Sequence, residues 1–155
     1  MIALAGNPNV GKGTVFNELT GLRQHTGNWP GKTVACARGE FTRNGKTYTL
    51  VDLPGTYSLM AHSAEEEIAR DFICEEHPDA VIIVCDATCL ERNLNLALQI
   101  RQMTGRGILC VNLCDEARRK GIDVDFNMLS DLLRMPGLSC SASAKEGIEE
   151  LAAAA

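Results

Sequence analysis

Gly6-Asn7-Pro8-Asn9-Val10-Gly11-Lys12 stands between a short apolar run at residues 2–5 and a helical pattern at 15–22. No other feature constrains the fold as much. A strand that ends in a glycine-rich turn and re-enters as a helix directs backbone N–H groups inward, onto an anion. The positive end of the following helix faces the same anion. Lys12 adds a compact charge suited to β- and γ-phosphates. The last position of the pattern departs from it: where a Ser or Thr hydroxyl would bind Mg²⁺, the chain has Gly13, and Thr14 is one residue late. That shift turns the hydroxyl by about 100° around the helix, which suits an α-phosphate contact better than a metal ligand. Weakened Mg²⁺ coordination, with catalysis suffering more than binding, is the expectation.

Apolar runs and helical patterns alternate along the rest of the chain. Residues 36–42 and 47–52 flank Arg43-Asn44-Gly45-Lys46, and Asn-Gly between alternating runs predicts an antiparallel hairpin. Residues 23–34, rich in Gly, Asn, Thr and Pro, read as a loop. Helices are expected at 64–74, with Glu65, Glu66 and Glu67 as a solvated acidic first turn, and at 90–103, 128–135 and from 148 on. The continuous apolar runs 80–85 and 107–112 read as strands covered on both faces, and 138–141 as a last short strand. The sum is an α/β fold: a mostly parallel six-stranded sheet with one antiparallel hairpin and helices on both faces, in a single domain spanning 1–155. The terminal Ala152–Ala155 run is read as the end of a truncated helix or as foreign sequence.

Composition narrows the function. With 155 residues, a net charge of −5 and 45 % apolar content, the chain suits one globular domain and argues against a broad nucleic-acid surface. No run approaches the ~18 apolar residues of a membrane span, and no secretory signal is expected at the start. Cys36, Cys74, Cys85, Cys89, Cys110, Cys114 and Cys140 are odd in number and mostly within apolar runs, as expected of core thiols in a reducing compartment. His25, His62 and His77 have no metal-ligand spacing.

Two further motifs complete a nucleotide site. Asp52-Leu53-Pro54-Gly55 closes a strand about 40 residues after the phosphate loop, where an Asp holds the Mg²⁺ shell and Gly55 admits an N–H to the γ-phosphate. Asn112-Leu113-Cys114-Asp115 ends another strand. Its carboxylate can accept from the N1–H and 2-amino group of guanine, which adenine does not offer, and Asp115 can also cap the next helix. After the last strand an N–H from a Ser-Ala pair would meet the guanine oxygen. Both Ser141-Ala142 and Ser143-Ala144-Lys145 fit that pattern.

These elements resemble a Ras-like GTP-binding domain. The strings ALAGNPNVGK at 3–12, FNELTG at 16–21, TGNWPGKTV at 26–34, LVDLPGTYSL at 50–59, DATCLERNL at 86–94 and NLCDEA at 112–117 are similar to the amino-terminal GTPase domain of the bacterial ferrous-iron transporter B family. The resemblance implies GTP/GDP and Mg²⁺ as ligands, with Thr33 and Asp52 on Mg²⁺. It also implies an activating K⁺ held by Asn9 and by first-switch carbonyls around Gly27 and Trp29. Asn9, Lys12, Thr33 and Gly55 would then carry hydrolysis, and residues 6–14, Asn112, Asp115, Ser141 and Ala142 would contact nucleotide. Trp29 is equally readable as a loop aromatic packed on its own domain, and Asn9 as turn chemistry. Thr56 replaces the water-orienting Gln of Ras-like proteins, so slow intrinsic hydrolysis is expected. The resemblance further implies helical and membrane domains on the same polypeptide and a place on the cytoplasmic face of the bacterial inner membrane, and leaves room for an oligomer of the whole protein. A soluble Era-like GTPase and a non-hydrolysing guanine-nucleotide sensor are the alternatives.

Overall fold

The computed structural model describes residues 1–155. In chain order the elements are β1 (Ile2–Gly6), α1 (Lys12–Thr20), β2 (Gln24–Asn28), β3 (Ala35–Arg43), β4 (Lys46–Asp52), α2 (Ala64–Glu75) and β5 (Ala80–Asp86). There follow α3 (Leu90–Met103), β6 (Gly107–Asn112), α4 (Cys114–Arg119), α5 (Phe126–Leu133), β7 (Gly137–Ser139) and α6 (Ile148–Ala154). Single 3-10 turns precede α3 and α6.

The strands form one sheet in the order β2-β3-β4-β1-β5-β6-β7. β4, β1, β5, β6 and β7 run parallel, each return passing through a helix, while β3 runs antiparallel to both its neighbours, β2 and β4. Asn44 and Gly45 both take positive φ, the requirement of the tight hairpin turn between β3 and β4. β1 and β6 are buried throughout, and β5 is buried up to Cys85, which explains why their sequences show no alternation. Their side chains divide between two cores. Ala3, Val51, Ile83 and Val111 pack under α2, α3 and α5. Ile2, Leu4, Leu50 and Ile82 pack under α1 and α6. No helix is long and apolar enough to cross a membrane.

Three boundaries differ from the sequence expectation. The sheet has seven strands, because residues 24–28, expected in a loop, form β2 with Gln24 opposite Gly39 and Asn28 opposite Ala35. All five β2 side chains are exposed, so the strand carries no hydrophobic period and rests on its backbone ladder with β3. Helix α1 starts three residues earlier than expected, directly from the left-handed Gly11, and stops at the left-handed Gly21. Helix α5 starts at Phe126, where the Asp125 side chain accepts from the Met128 N–H.

Candidate nucleotide site

The carboxyl ends of β1, β4 and β6 and the loop after β7 meet at one edge of the sheet, the place where open α/β sheets bind ligands. The phosphate loop leaves β1 at Gly6 and turns through Asn9 (φ 65°) and Gly11 (φ 82°) into α1. The first N–H groups of α1 have no intrahelical acceptor and face the concavity of this loop. Asn9 is exposed on the turn. A β-carbon on Gly11 would collide with Asn112 Nδ2, whereas one on Gly13 would meet nothing within 4 Å. The missing hydroxyl at residue 13 is therefore not imposed by crowding.

Lys12 Nζ donates to the Leu53 carbonyl at 2.8 Å and forms an ion pair with Asp52 Oδ1. Burial holds the Asp52 carboxyl above its ordinary value, outweighing the opposing pull of Lys12. The Asp-x-x-Gly loop is fastened to the phosphate loop. Leu53 N–H donates to Leu4 O at 2.9 Å and Thr56 N–H to Gly6 O at 3.1 Å. A β-carbon on Gly55 would lie 3.4 Å from Pro8 Cα. Thr56 is only 5 % exposed.

Asn112, 1 % exposed, spans two loops. Its Nδ2 donates to the Val10 carbonyl at 3.0 Å, and its Oδ1 accepts from the Ala142 N–H at 3.0 Å. Asp115 does not cap α4. The cap is Leu113 in the left-handed region, and Asp115 lies in the first turn. Its N–H donates to Ser141 Oγ at 3.0 Å, and its carboxylate is 3.7 Å from the Arg119 guanidinium. The Ser141 hydroxyl thus links the two base loops, a contact the sequence reading did not assign. Both N–H groups of the expected Ser141-Ala142 pair are engaged inside the protein, by Glu146 O and Asn112 Oδ1. Ala144 and Lys145 N–H groups close the 3-10 turn on Ser141 and Ala142. Between the two proposed registers, the amide of Ser143 is the one without an internal acceptor.

The first-switch segment is arranged differently from the ligand set implied by the resemblance. The Trp29 side chain is 8 % exposed and packs edge-on against Phe72 of α2, which answers to the packed-aromatic reading. Its carbonyl accepts from the Lys32 N–H at 2.9 Å. Gly27 lies within β2, opposite Cys36. Thr33 stands on an exposed bend, outside the Lys12–Asp52 contact. Among the cysteines, Cys85, Cys110, Cys114 and Cys140 are buried, but Cys74 on α2 is exposed.

A mostly parallel sheet that presents a phosphate loop, an acidic second loop tied to it and a base loop tied to the phosphate loop in turn defines a guanine-nucleotide-binding domain of the P-loop GTPase class. The family model described as "Ferrous iron transport protein B" matches residues 1–155, and the chain belongs to that family. The Fe(2+) transporter FeoB of Shigella flexneri is 43 % identical over 154 residues, covering 97 % of this chain and 20 % of that protein. The chain therefore spans about a fifth of that relative's length. The G domain of the T. maritima FeoB iron transporter superposes with a TM-score of 0.92 at 44 % identity, covering 99 % of this chain and 94 % of that one. The cytosolic domain of the same transporter in its GMPPNP form superposes at 0.94 with 45 % identity, covering 98 % of this chain and 60 % of the other.

Proposed function

We propose that this domain binds GTP and GDP and hydrolyses GTP slowly, switching a ferrous-iron transport protein between two states. The observation that carries the reading is Asn112, whose single side chain joins the phosphate loop to the base loop. A related domain crystallised in a GMPPNP form supports the choice of guanine. In this reading Lys12 and the first-turn amides, with the Thr14 hydroxyl, hold the phosphates, and Gly6–Gly11 shape the loop around them. Asp115 reads the guanine edge, and the Ser143 amide, left without an internal acceptor while those of Ser141 and Ala142 are engaged, faces its oxygen.

Asp52 and Thr33 would hold Mg²⁺, which would neutralise charge on the β- and γ-phosphate oxygens. The residues fit that ion one hydroxyl short, because Gly13 has no side chain. Lys12 must first release Asp52, and the phosphates offer Lys12 a better partner. Asn9, with carbonyls near Gly27 and Trp29, would hold an activating K⁺. With Thr56 where a water-orienting Gln amide would stand, the N–H of Gly55 and the fixed charge of Lys12 do most of the electrostatic work. The remaining domains of the polypeptide, helical and membrane-spanning, would receive the switch at the cytoplasmic face of the inner membrane, where the whole protein can assemble as an oligomer.

Binding of fluorescent GDP and GMPPNP, with and without Mg²⁺, to this chain and to Gly13→Ser tests the proposal, with ATP analogues as control. Guanine-selective binding in both proteins supports it, and failure of both to bind guanine nucleotide overturns it. A non-hydrolysing sensor is favoured by Gly13 and Thr56 together. Turnover assays in K⁺ and in Na⁺ separate it from the enzyme.

A further inference from the structure

Between the phosphate loop and the start of α3 lies a cavity of about 240 Å³. Asn7 of the loop, Tyr57 of the following switch segment, and Asp86, Cys89, Arg92 and Asn93 around the start of α3 line it. Asn7 is 3 % exposed, and neither its amide nitrogen nor its oxygen has a hydrogen-bond partner. Asn93 is 2 % exposed. Its amide donates to the Cys89 carbonyl at 2.8 Å, but its Oδ1 has no partner.

Buried amides are almost always paired, and two unpaired ones facing one polar cavity call for a common partner. The three unmet atoms are two acceptors and one donor, so the partner must both donate and accept. It must also be neutral, since Arg92 disfavours a cation in the cavity and Asp86 an anion. We propose that Asn7 and Asn93 hold ordered water between the phosphate loop and α3, and that Asn93 is through it a positioning residue for the nucleotide phosphates. Helix α3 is a firm reference: Leu96, Ala97 and Ile100, on the same face as Asn93, are buried in the core. Water fixed between Asn93 and Asn7 holds the loop one residue after Gly6, where its direction is set. Nothing in the Asn-containing stretch at 90–103 pointed to this, although a polar residue on the buried face of a helix was the available signal.

The consequence for nucleotide rests on the proposed function; the water itself does not. The test therefore has two readouts on the wild type, Asn7→Ala, Asn93→Ala and the double variant. The first is a water–amide Overhauser contact at the Asn7 side chain in nucleotide-free protein. The second is the release rate of fluorescent GDP. The expected result is a long-lived water contact in the wild type that is lost in Asn93→Ala. Each single variant then releases GDP about tenfold faster, and the double variant no faster than the quicker single. No long-lived water at Asn7, or single effects that multiply in the double variant, would overturn the proposal. Should Asn93→Ala fail to fold, Asn7→Ala still decides, because it leaves the Asn93–Cys89 bond intact; release unchanged by Asn7→Ala overturns the proposal. Should no protein bind guanine nucleotide, the function fails while the Overhauser contact still judges the water.

Discussion

The indole of Trp29 meets the ring of Phe72 edge-on, with centroids 5.7 Å apart and planes at 75°. The first-switch segment thereby rests on the helix that follows the second. Lys32 and Glu67, 3.8 Å apart, add a looser tie between the same segments. Edge-to-face contact suits the opposed charge of ring face and ring edge. Trp29 is the sole tryptophan of the chain, so its emission reports this contact without interference. Phe72→Ala is expected to shift that emission to the red and to cost about 3–5 kcal/mol of stability. Unchanged emission would mean that the indole keeps its burial without Phe72.

Gly13→Ser places a hydroxyl at the helix start in open space. The fold should accept it without loss of Tm. Affinity for GMPPNP in Mg²⁺ should rise by about tenfold, the worth of one added ligand contact to a charged centre. The gain should vanish on chelation of the metal. Titration of the two proteins with and without Mg²⁺ measures it, and equal Mg²⁺ dependence would mean that another group already fills the position.

Asp52 links pH to stability. Burial lifts its carboxyl above the ordinary 3.8 although Lys12 draws it down by charge and hydrogen bond. The folded state then binds this proton more tightly than the unfolded one. Across the window from the ordinary value up to the raised one, the stability of nucleotide-free protein falls as pH rises. Lys12→Ala removes both lowering influences, so the Asp52 pKa climbs further. A carbon-detected NMR titration of the carboxyl group decides, and an Asp52 that titrates at or below the ordinary value contradicts the burial argument.

Asp115→Ala tests base choice. A hydrogen bond to a charged group contributes about 1.5–3 kcal/mol, so guanine should lose about 10–150-fold in affinity. Binding of adenine nucleotide should stay as weak as before. Competition binding reads both, and an unchanged guanine preference would place base recognition elsewhere.

Asn112→Ala removes both of its hydrogen bonds at once, leaving the Val10 carbonyl and the Ala142 amide buried and unpaired. A loss of about 2–4 kcal/mol is expected, read by chemical denaturation of nucleotide-free protein. A loss under about 1 kcal/mol would mean that water replaces the side chain without penalty.

The parts legible in the sequence were those with a local chemical signature. Asn44-Gly45 announced its hairpin because its turn needs positive φ at two successive residues. The Gly6–Lys12 string announced a strand, a turn and a helix in that order. β2 was invisible because its side chains are all exposed, and a backbone ladder leaves no mark on side-chain pattern. Trp29 could be read two ways because burial of a loop aromatic depends on Phe72, forty-three residues away along the chain. The cross-links made by Asn112 and Ser141 were equally hidden. Their partners Val10, Ala142 and Asp115 become neighbours only when the sheet is assembled, and all three bonds engage the backbone, which any residue could supply.

The double attachment of Asn112 has a consequence for ligands smaller than a nucleotide. The surfaces that would meet the base and the phosphates are not two independent receptors joined by a flexible chain. Each is stiffened by the same amide. A guanosine settling at Asp115 would restrain Ala142, hence Asn112, hence the Val10 carbonyl and the turn around the phosphates. Guanosine and pyrophosphate offered together as separate molecules should therefore bind with positive heterotropic cooperativity, each fragment raising the affinity for the other although no covalent bond connects them.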